Sequence, residues 1–330
     1  MAGRLAVIDG DLLAFKCAAV TEKRSVIATH KETLDKYEFD TATKFKEWAS
    51  DAADQYDLEA VRKPEPIANT LRSIKSKLNS IIEACKADSY HIVISGDDNF
   101  RKSIPLPSQY KNTRSDSGKP INLAEAKEYL VKFHNAETAV GEADEVLVAY
   151  AYQGYKDGEV VIQASTDKDA NHGPGWLYNW DTMDEPELIE GYGALTLILR
   201  DTGKKKKNGD PTYEKIIKGK GRAFLWFQFM FGDPVDAYKP CELAKVKFGD
   251  VGAYELLKDC TTDKEAAVVV MNQYKYWYPE PTTYRAWDDS LHTKDWMEIW
   301  QMYADCAFMP RWDGDRFIVK NVLEKLKIEH

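Results

Sequence analysis

Three short apolar runs in this chain each empty into a cluster of acids, and that recurrence narrows the possible folds more than any other feature. LAVI leads to Asp9, Gly10 and Asp11; YHIVIS leads to Gly96, Asp97 and Asp98; EVVIQAS leads to Thr166, Asp167, Lys168 and Asp169. Compact apolar runs bounded by turn residues suit buried strands. Helical patterning lies between them, in LLAFKCAAV, in residues 43–62 and 64–88, in LAEAKEYLVKF and in GEADEVLVAYAYQ. This alternation predicts an α/β fold with a mainly parallel sheet flanked by helices. The acids then fall at the carboxyl ends of strands, where open parallel sheets bind their ligands.

After Trp180 the pattern changes. LTLILR, a basic turn of Lys204, Lys205, Lys206 and Lys207, and a return segment precede the apolar GRAFLWFQFMF, which reads as a buried helix ending at Gly232 and Asp233. The rest is mostly helical in pattern. A chain of 330 residues exceeds the roughly 250–300 at which single cores stop growing, so two parts are expected, residues 1–195 and a helical 196–330. Residues 99–122 are rich in Lys, Arg, Pro and Ser with little apolar periodicity, which predicts a mobile basic excursion.

No apolar run is long enough to span a bilayer, and the first residues lack the uninterrupted apolar core of a secretory signal. A cytoplasmic protein without a membrane partner is expected. The five cysteines stand far apart and lack zinc-ligand spacing, as expected of reduced thiols. A net charge of −9 excludes a protein that coats polyanions by charge alone. It does not exclude one that meets them through bound cations.

Carboxylates are hard oxygen ligands, and several in one crevice cannot all stay ionised without compensating cations. A Mg²⁺ or Mn²⁺ site follows, and phosphodiester cleavage suits a pair of such ions, which activate water and clamp the attacking and leaving oxygens. A single strand-end Asp is more often a turn or cap residue, and Glu142, Asp144 and Glu145 can simply complement a helix N-terminus. Order and spacing weigh against those local explanations. Asp-x-Asp follows a strand, Gly-Asp follows the next, Glu-x-Asp opens a helix, a second Asp-x-Asp follows a strand, and Gly-Asp-x-x-Asp (Asp233, Asp236) follows an apolar helix.

The series IDGD, FRK with YKNTR, GEADE, STDKD and GDPVD resembles the 5′-nuclease superfamily of flap endonucleases and phage 5′→3′ exonucleases, especially the short exonucleases of podovirus-type phages. The resemblance runs from Val7 to about Leu257. It implies a PIN/5′-nuclease-like sheet, with a helical C-terminal subdomain that contains a helix-hairpin-helix. It also implies two Mg²⁺ (or Mn²⁺) ions held by Asp9, Asp97, Glu142, Asp144, Asp167, Asp169, Asp233 and Asp236. Asp11 would act beside Asp9, Glu145 would be a further acid, and Asp98 is an alternative to Asp97. Residues from about 99 to 135 would form the arch through which a single-stranded 5′ end passes. There Lys111, Arg101 and Arg114 would act on the phosphate, Lys102 would bind DNA, and Tyr110 would stack on a base. The implied partner is DNA with a 5′ end, flap or recessed terminus, or an RNA:DNA hybrid. The implied setting is phage replication or recombination in the host cytoplasm, with the protein a monomer.

The stretch from Tyr238 to Gly249 departs from the family, because the glycines of its hairpin are largely missing. Backbone groups approach a cation or phosphate closely only where side chains permit. This argues against a bound K⁺ and shifts duplex contact to Lys239, Lys245, Lys247 and the run Lys204, Lys205, Lys206 and Lys207. Rival functions are a haloacid-dehalogenase-type phosphatase using Asp9 and Asp11, a small PIN-type ribonuclease, and a non-catalytic nucleic-acid scaffold. The later Gly-Asp spacing, STDKD and the basic arch do not fit the first. The long excursion and helical part do not fit the second, and a scaffold has no need of acids at every station. His172 has no second His at ligand spacing and is expected to be structural or solvent-facing rather than a metal ligand.

Overall fold

The computed structural model describes residues 3–112, 118–206 and 209–330. In chain order the elements begin β1 (Leu5–Asp9), α1 (Gly10–Val20), β2 (Glu22–His30), β3 (Lys36–Phe39), α2 (Ala42–Ala49), β4 (Tyr56–Pro64), α3 (Ile67–Cys85) and β5 (Ser89–Ile94). They continue with α4 (Leu123–His134), β6 (Glu137–Thr138), α5 (Ala143–Asp157), β7 (Val161–Ala164), β8 (Gly175–Tyr178) and β9 (Glu187–Ile189). A long hairpin of β10 (Ala194–Lys205) and β11 (Pro211–Lys220) precedes α6 (Arg222–Phe231), α7 (Asp250–Leu257) and α8 (Asp263–Trp277). The chain closes with β12 (Thr282–Arg285), β13 (Leu291–Lys294), α9 (Trp296–Ala307) and α10 (Val319–Lys325).

Packing divides the chain into two units. One comprises Met1–Asp9, Ile81–Ser115 and Glu137–His330, and the other Gly10–Ser80 and Asp116–Ala136. In the first, six strands form one sheet in the order β6-β5-β1-β7-β8-β9, parallel except for β9. The α/β class with a mainly parallel sheet is therefore observed. β1 is central, paired with β5 on one side and β7 on the other. Every residue of β7 is buried, which is why its sequence is apolar throughout rather than alternating. Helix α5 packs on β1, β7 and β8. Gly154 permits the approach, since a Cβ there would lie 2.4 Å from Val161 Cγ2.

Helix α6 is apolar all round, and Ala223 through Met230 are buried. Such a helix needs cover on every side. It receives that cover from α7, α8, α9 and the base of the β10–β11 hairpin. Ile104, Leu106 and Tyr110 join the same apolar cluster. The C-terminal helices thus share a core with residues 104–110. This corrects the expected mobile excursion over residues 99–112. Trp287 donates its N–H to Leu106 O at 2.9 Å and its indole N–H to Ile104 O at 3.0 Å, and the Tyr284 hydroxyl donates to Pro105 O at 2.8 Å. Between α6 and α7 the chain forms turns and irregular backbone, with one bridge between Asp233 and Tyr238.

In the second unit, β2 is flanked by β3 and β4 in an antiparallel sheet, and Phe45 anchors a small core with Ala28 and Ala49. Here the helix expected over 43–62 is corrected. It stops at Ala49, where Ser50 takes a φ of 46°, and Tyr56–Pro64 is a strand that pairs with the whole of β2. Local periodicity carries no information about a partner strand. Among the described residues no helix is long and apolar enough to cross a membrane.

Gly154→Ala should lower the unfolding free energy by about 1–3 kcal/mol through overpacking against Val161. The measurement is the urea midpoint at unchanged slope, and an unmoved midpoint would show that α5 can retreat from β7 without cost.

Candidate metal centre

The acids gather at the carboxyl ends of β1 and β7, at the start of α5 and in the loop after α6. Asp9 closes β1 and is buried, and its carboxylate accepts a hydrogen bond from Ser165 Oγ at 2.8 Å. Ser165 Oγ also accepts from the Asp167 N–H at 3.1 Å, and the Asp167 carboxylate caps the next turn by accepting from the Asp169 N–H at 2.9 Å. One serine thus ties the two strand ends together. Glu142 is the residue before α5 and Asp144 lies in its first turn.

The Gly-Asp-x-x-Asp loop is built by close backbone approach. Gly232 has φ +81°, and a Cβ on it would stand 2.5 Å from Tyr238 O. Asp233 and Tyr238 exchange backbone hydrogen bonds of 2.9 and 3.1 Å, which holds Asp233 and Asp236 inward, both buried. One carboxylate oxygen each from Asp169, Asp233 and Asp236 lie within 4.8 Å of one another, so these three could hold a metal ion.

The electrostatics fit a cation. Burial first, then the charges of Asp9, Asp167, Asp169 and Glu142, push the Asp144 carboxyl well above the usual carboxylate range. Burial and then Asp169 likewise push Asp167 up. Asp169 is the exception. Burial opposes its charge, but Lys168, His172 and the Gln228 amide hold it down at about 2. Among the described residues, two lysines reach into this group. Lys168 Nζ lies 2.9 Å from Asp169 Oδ1 and 2.5 Å from Asp233 Oδ2. Lys111 contacts Glu142 Oε1 and stands 3.9 Å from Asp236 Oδ2. Buried like charges at this density are relieved by a bound cation or by proton uptake.

Two expected phosphate or base ligands are placed otherwise. Arg101 has no exposed surface, and its guanidinium donates to Glu142 at 3.0 Å, Glu145 at 2.5 Å, Cys306 O at 2.9 Å and Phe308 O at 2.8 Å. It positions the acids and has no donor left for a phosphate. Tyr110 is buried beside Tyr238, and its hydroxyl donates to Asp236 at 2.7 Å, so its ring is not a platform for a base. The basic character of residues 99–122 concealed both roles.

The remaining expected residues divide. Asp97 and Asp98 are exposed, and none of the interactions described at the acid cluster involves either. Asp11 belongs to the other unit, where Lys127 pairs with it at 2.5 Å. Lys102, Lys204, Lys205, Lys206, Lys239, Lys245 and Lys247 are exposed. Arg114 and Lys207 lie outside the described residues. Sequence reasoning passed over Lys168, Ser165 and Gln228. Gln228 carried a signal, as the single polar side chain within the apolar run of α6; its amide donates to Asp169 Oδ1 at 2.8 Å.

No known family model matches the chain, and no curated protein matches it.

His172 is not solvent-facing. It is buried with its ring 5.4 Å from that of Phe224 and its Nε2 3.7 Å from Asp169 Oδ1. Burial lowers its pKa from 6.5 to about 4 in spite of Asp169. A depressed folded value means that the neutral ring stabilises the fold above pH 6.5, and that this contribution is lost as pH falls through about 4. The loss amounts to about 3 kcal/mol at roughly 1.4 kcal/mol per pKa unit. Urea denaturation across this window should show a shallower pH dependence for His172→Phe than for the wild type, and parallel curves would assign the proton to another group.

Proposed function

We propose that the protein is a metal-dependent nuclease that hydrolyses phosphodiester bonds at the 5′ ends of DNA, or of RNA paired with DNA, with two Mg²⁺ or Mn²⁺ ions. The observation that carries this reading is the convergence of Asp9, Glu142, Asp144, Asp167, Asp169, Asp233 and Asp236, from four separate stretches of chain, in one largely buried group in which burial and neighbouring acids push the Asp144 and Asp167 carboxyls up. Bound ions supply hydroxide at neutral pH and neutralise the charge that develops on the leaving oxygen.

The chain's own residues do the rest. Asp169, Asp233 and Asp236 form one carboxylate set, and Asp9, Glu142, Asp144 and Asp167 supply the other. Arg101 fixes Glu142 and Glu145 in place from behind. Lys111 is partly exposed, with its ammonium on Glu142, and can meet a substrate phosphate as a compact charge on a flexible stem. The exposed Lys204, Lys205 and Lys206 at the end of β10, with Lys239, Lys245 and Lys247, suit the backbone of the adjoining duplex, a contact that weakens as salt rises.

The test is incubation of the purified protein with a 5′-labelled recessed or flapped duplex in Mg²⁺ and in EDTA. Release of short products from the 5′ end in Mg²⁺ alone is expected. Replacing both Asp167 and Asp169 by Asn should reduce cleavage to background with duplex binding retained. Hydrolysis of a small phosphomonoester with the duplex left intact would defeat the proposal.

A further inference from the structure

Two cations touch the acid cluster in contrasting ways. Arg101 is fixed, with no exposure and every donor occupied. Lys168 is not: its side chain is 42% exposed although its ammonium bridges Asp169 and Asp233. These two carboxylates belong to the three-acid set that could hold a metal ion. A divalent ion held by Asp169 and Asp233 would sit close to the ammonium on the same two carboxylates, and the two cations repel each other at such a distance, so they compete for this pair. Lys168 also lines a cleft of about 810 Å³ together with Thr166, Asn171, Asn179, Lys218 and Lys220. The cleft is mixed in character, with apolar side chains and Asp181, Glu187 and Glu190 also in its lining, and beside Lys218 and Lys220 it gives the Lys168 side chain space to enter once it leaves the carboxylates.

We propose that Lys168 is an exchangeable internal cation, which competes with a divalent ion for Asp169 and Asp233 and, when displaced, turns into the adjoining cleft to meet a phosphate of the substrate. This rests on the reading of the acids as a metal centre for phosphodiester cleavage. Two consequences follow. The ammonium lowers the intrinsic affinity of the carboxylates for metal. Metal and polynucleotide also strengthen each other's binding, because each favours the displaced lysine, and such coupling is reciprocal.

The experiment is calorimetric titration of the full chain with Mn²⁺, paired with fluorescence anisotropy of a 5′-phosphorylated oligonucleotide in EDTA and in Ca²⁺. Lys168→Met should bind Mn²⁺ on the order of tenfold more tightly than the wild type, a coupling of ordinary size. It should also lose most of the Ca²⁺-dependent gain in oligonucleotide affinity. Lys168→Gln, which keeps a donor without the charge, reads the same effect if the Met variant does not fold. Lys168→Arg should bind Mn²⁺ no more tightly than the wild type. Lys220→Met, which lines the same cleft but pairs with Glu187, should leave Mn²⁺ affinity unchanged. Mn²⁺ binding of equal or lower affinity in Lys168→Met and Lys168→Gln would overturn the exchange and leave the metal centre standing. Absence of Mn²⁺ binding by the wild type would overturn both.

Discussion

The Arg101 guanidinium joins parts of the chain that lie far apart in sequence. On one side it holds Glu142 and Glu145, at the start of α5; on the other it donates to the carbonyls of Cys306 and Phe308, at the end of α9. Burying a charge of this kind costs several kcal/mol unless partners satisfy it, and removing one member of such a group typically costs about 3–5 kcal/mol. The arrangement therefore stands or falls as a whole. With Arg101 in place, the first turn of α5 is oriented, Glu142 is within reach of Lys111, and the terminal helices are fixed against the sheet-bearing part of the same unit.

Around that fixed point the site works against itself. Asp144 and Asp167 are pushed toward protonation by burial and then by their acidic neighbours, while Asp169 is held ionised by Lys168. Carboxylates placed so that they cannot all be charged at once favour whatever brings positive charge among them. The same crowding sets the sequence demands. Gly232 is needed because its backbone turns against Tyr238 O, and Ser165 because one hydroxyl serves both strand ends.

Much of the site was legible in the sequence because each acid sits in a motif whose geometry is local. Asp167 caps the turn that presents Asp169, and the exchange of hydrogen bonds between Asp233 and Tyr238 spans five residues. The parallel sheet was legible for the same reason, since the apolar runs of β1, β5 and β7 and the helices between them are continuous in the chain. What depended on distant partners was not legible. The burial of Arg101 follows from carbonyls more than two hundred residues away. Tyr56–Pro64 is a strand because β2 is available to pair with it, and Tyr110 is buried because the apolar cluster around α6 extends to it. In each case a composition suited to a surface was overruled by a neighbour that local pattern cannot reveal.

The position of β1 bears on how the protein is made. It precedes both of its neighbours in the sheet, Ser89–Val93 on one side and Val161–Ala164 on the other. On the ribosome it must wait through the synthesis of α1 to α3 before the first neighbour exists, and through α4 and α5 before the second. Long-range parallel pairing of this kind is slow and leaves apolar strand edges exposed to wrong partners in the interval. The unit made of Gly10–Ser80 and Asp116–Ala136 also cannot close until its second segment has emerged. Residues near 136 therefore mark the point in translation at which the small unit can be completed, well ahead of the strands that complete the sheet.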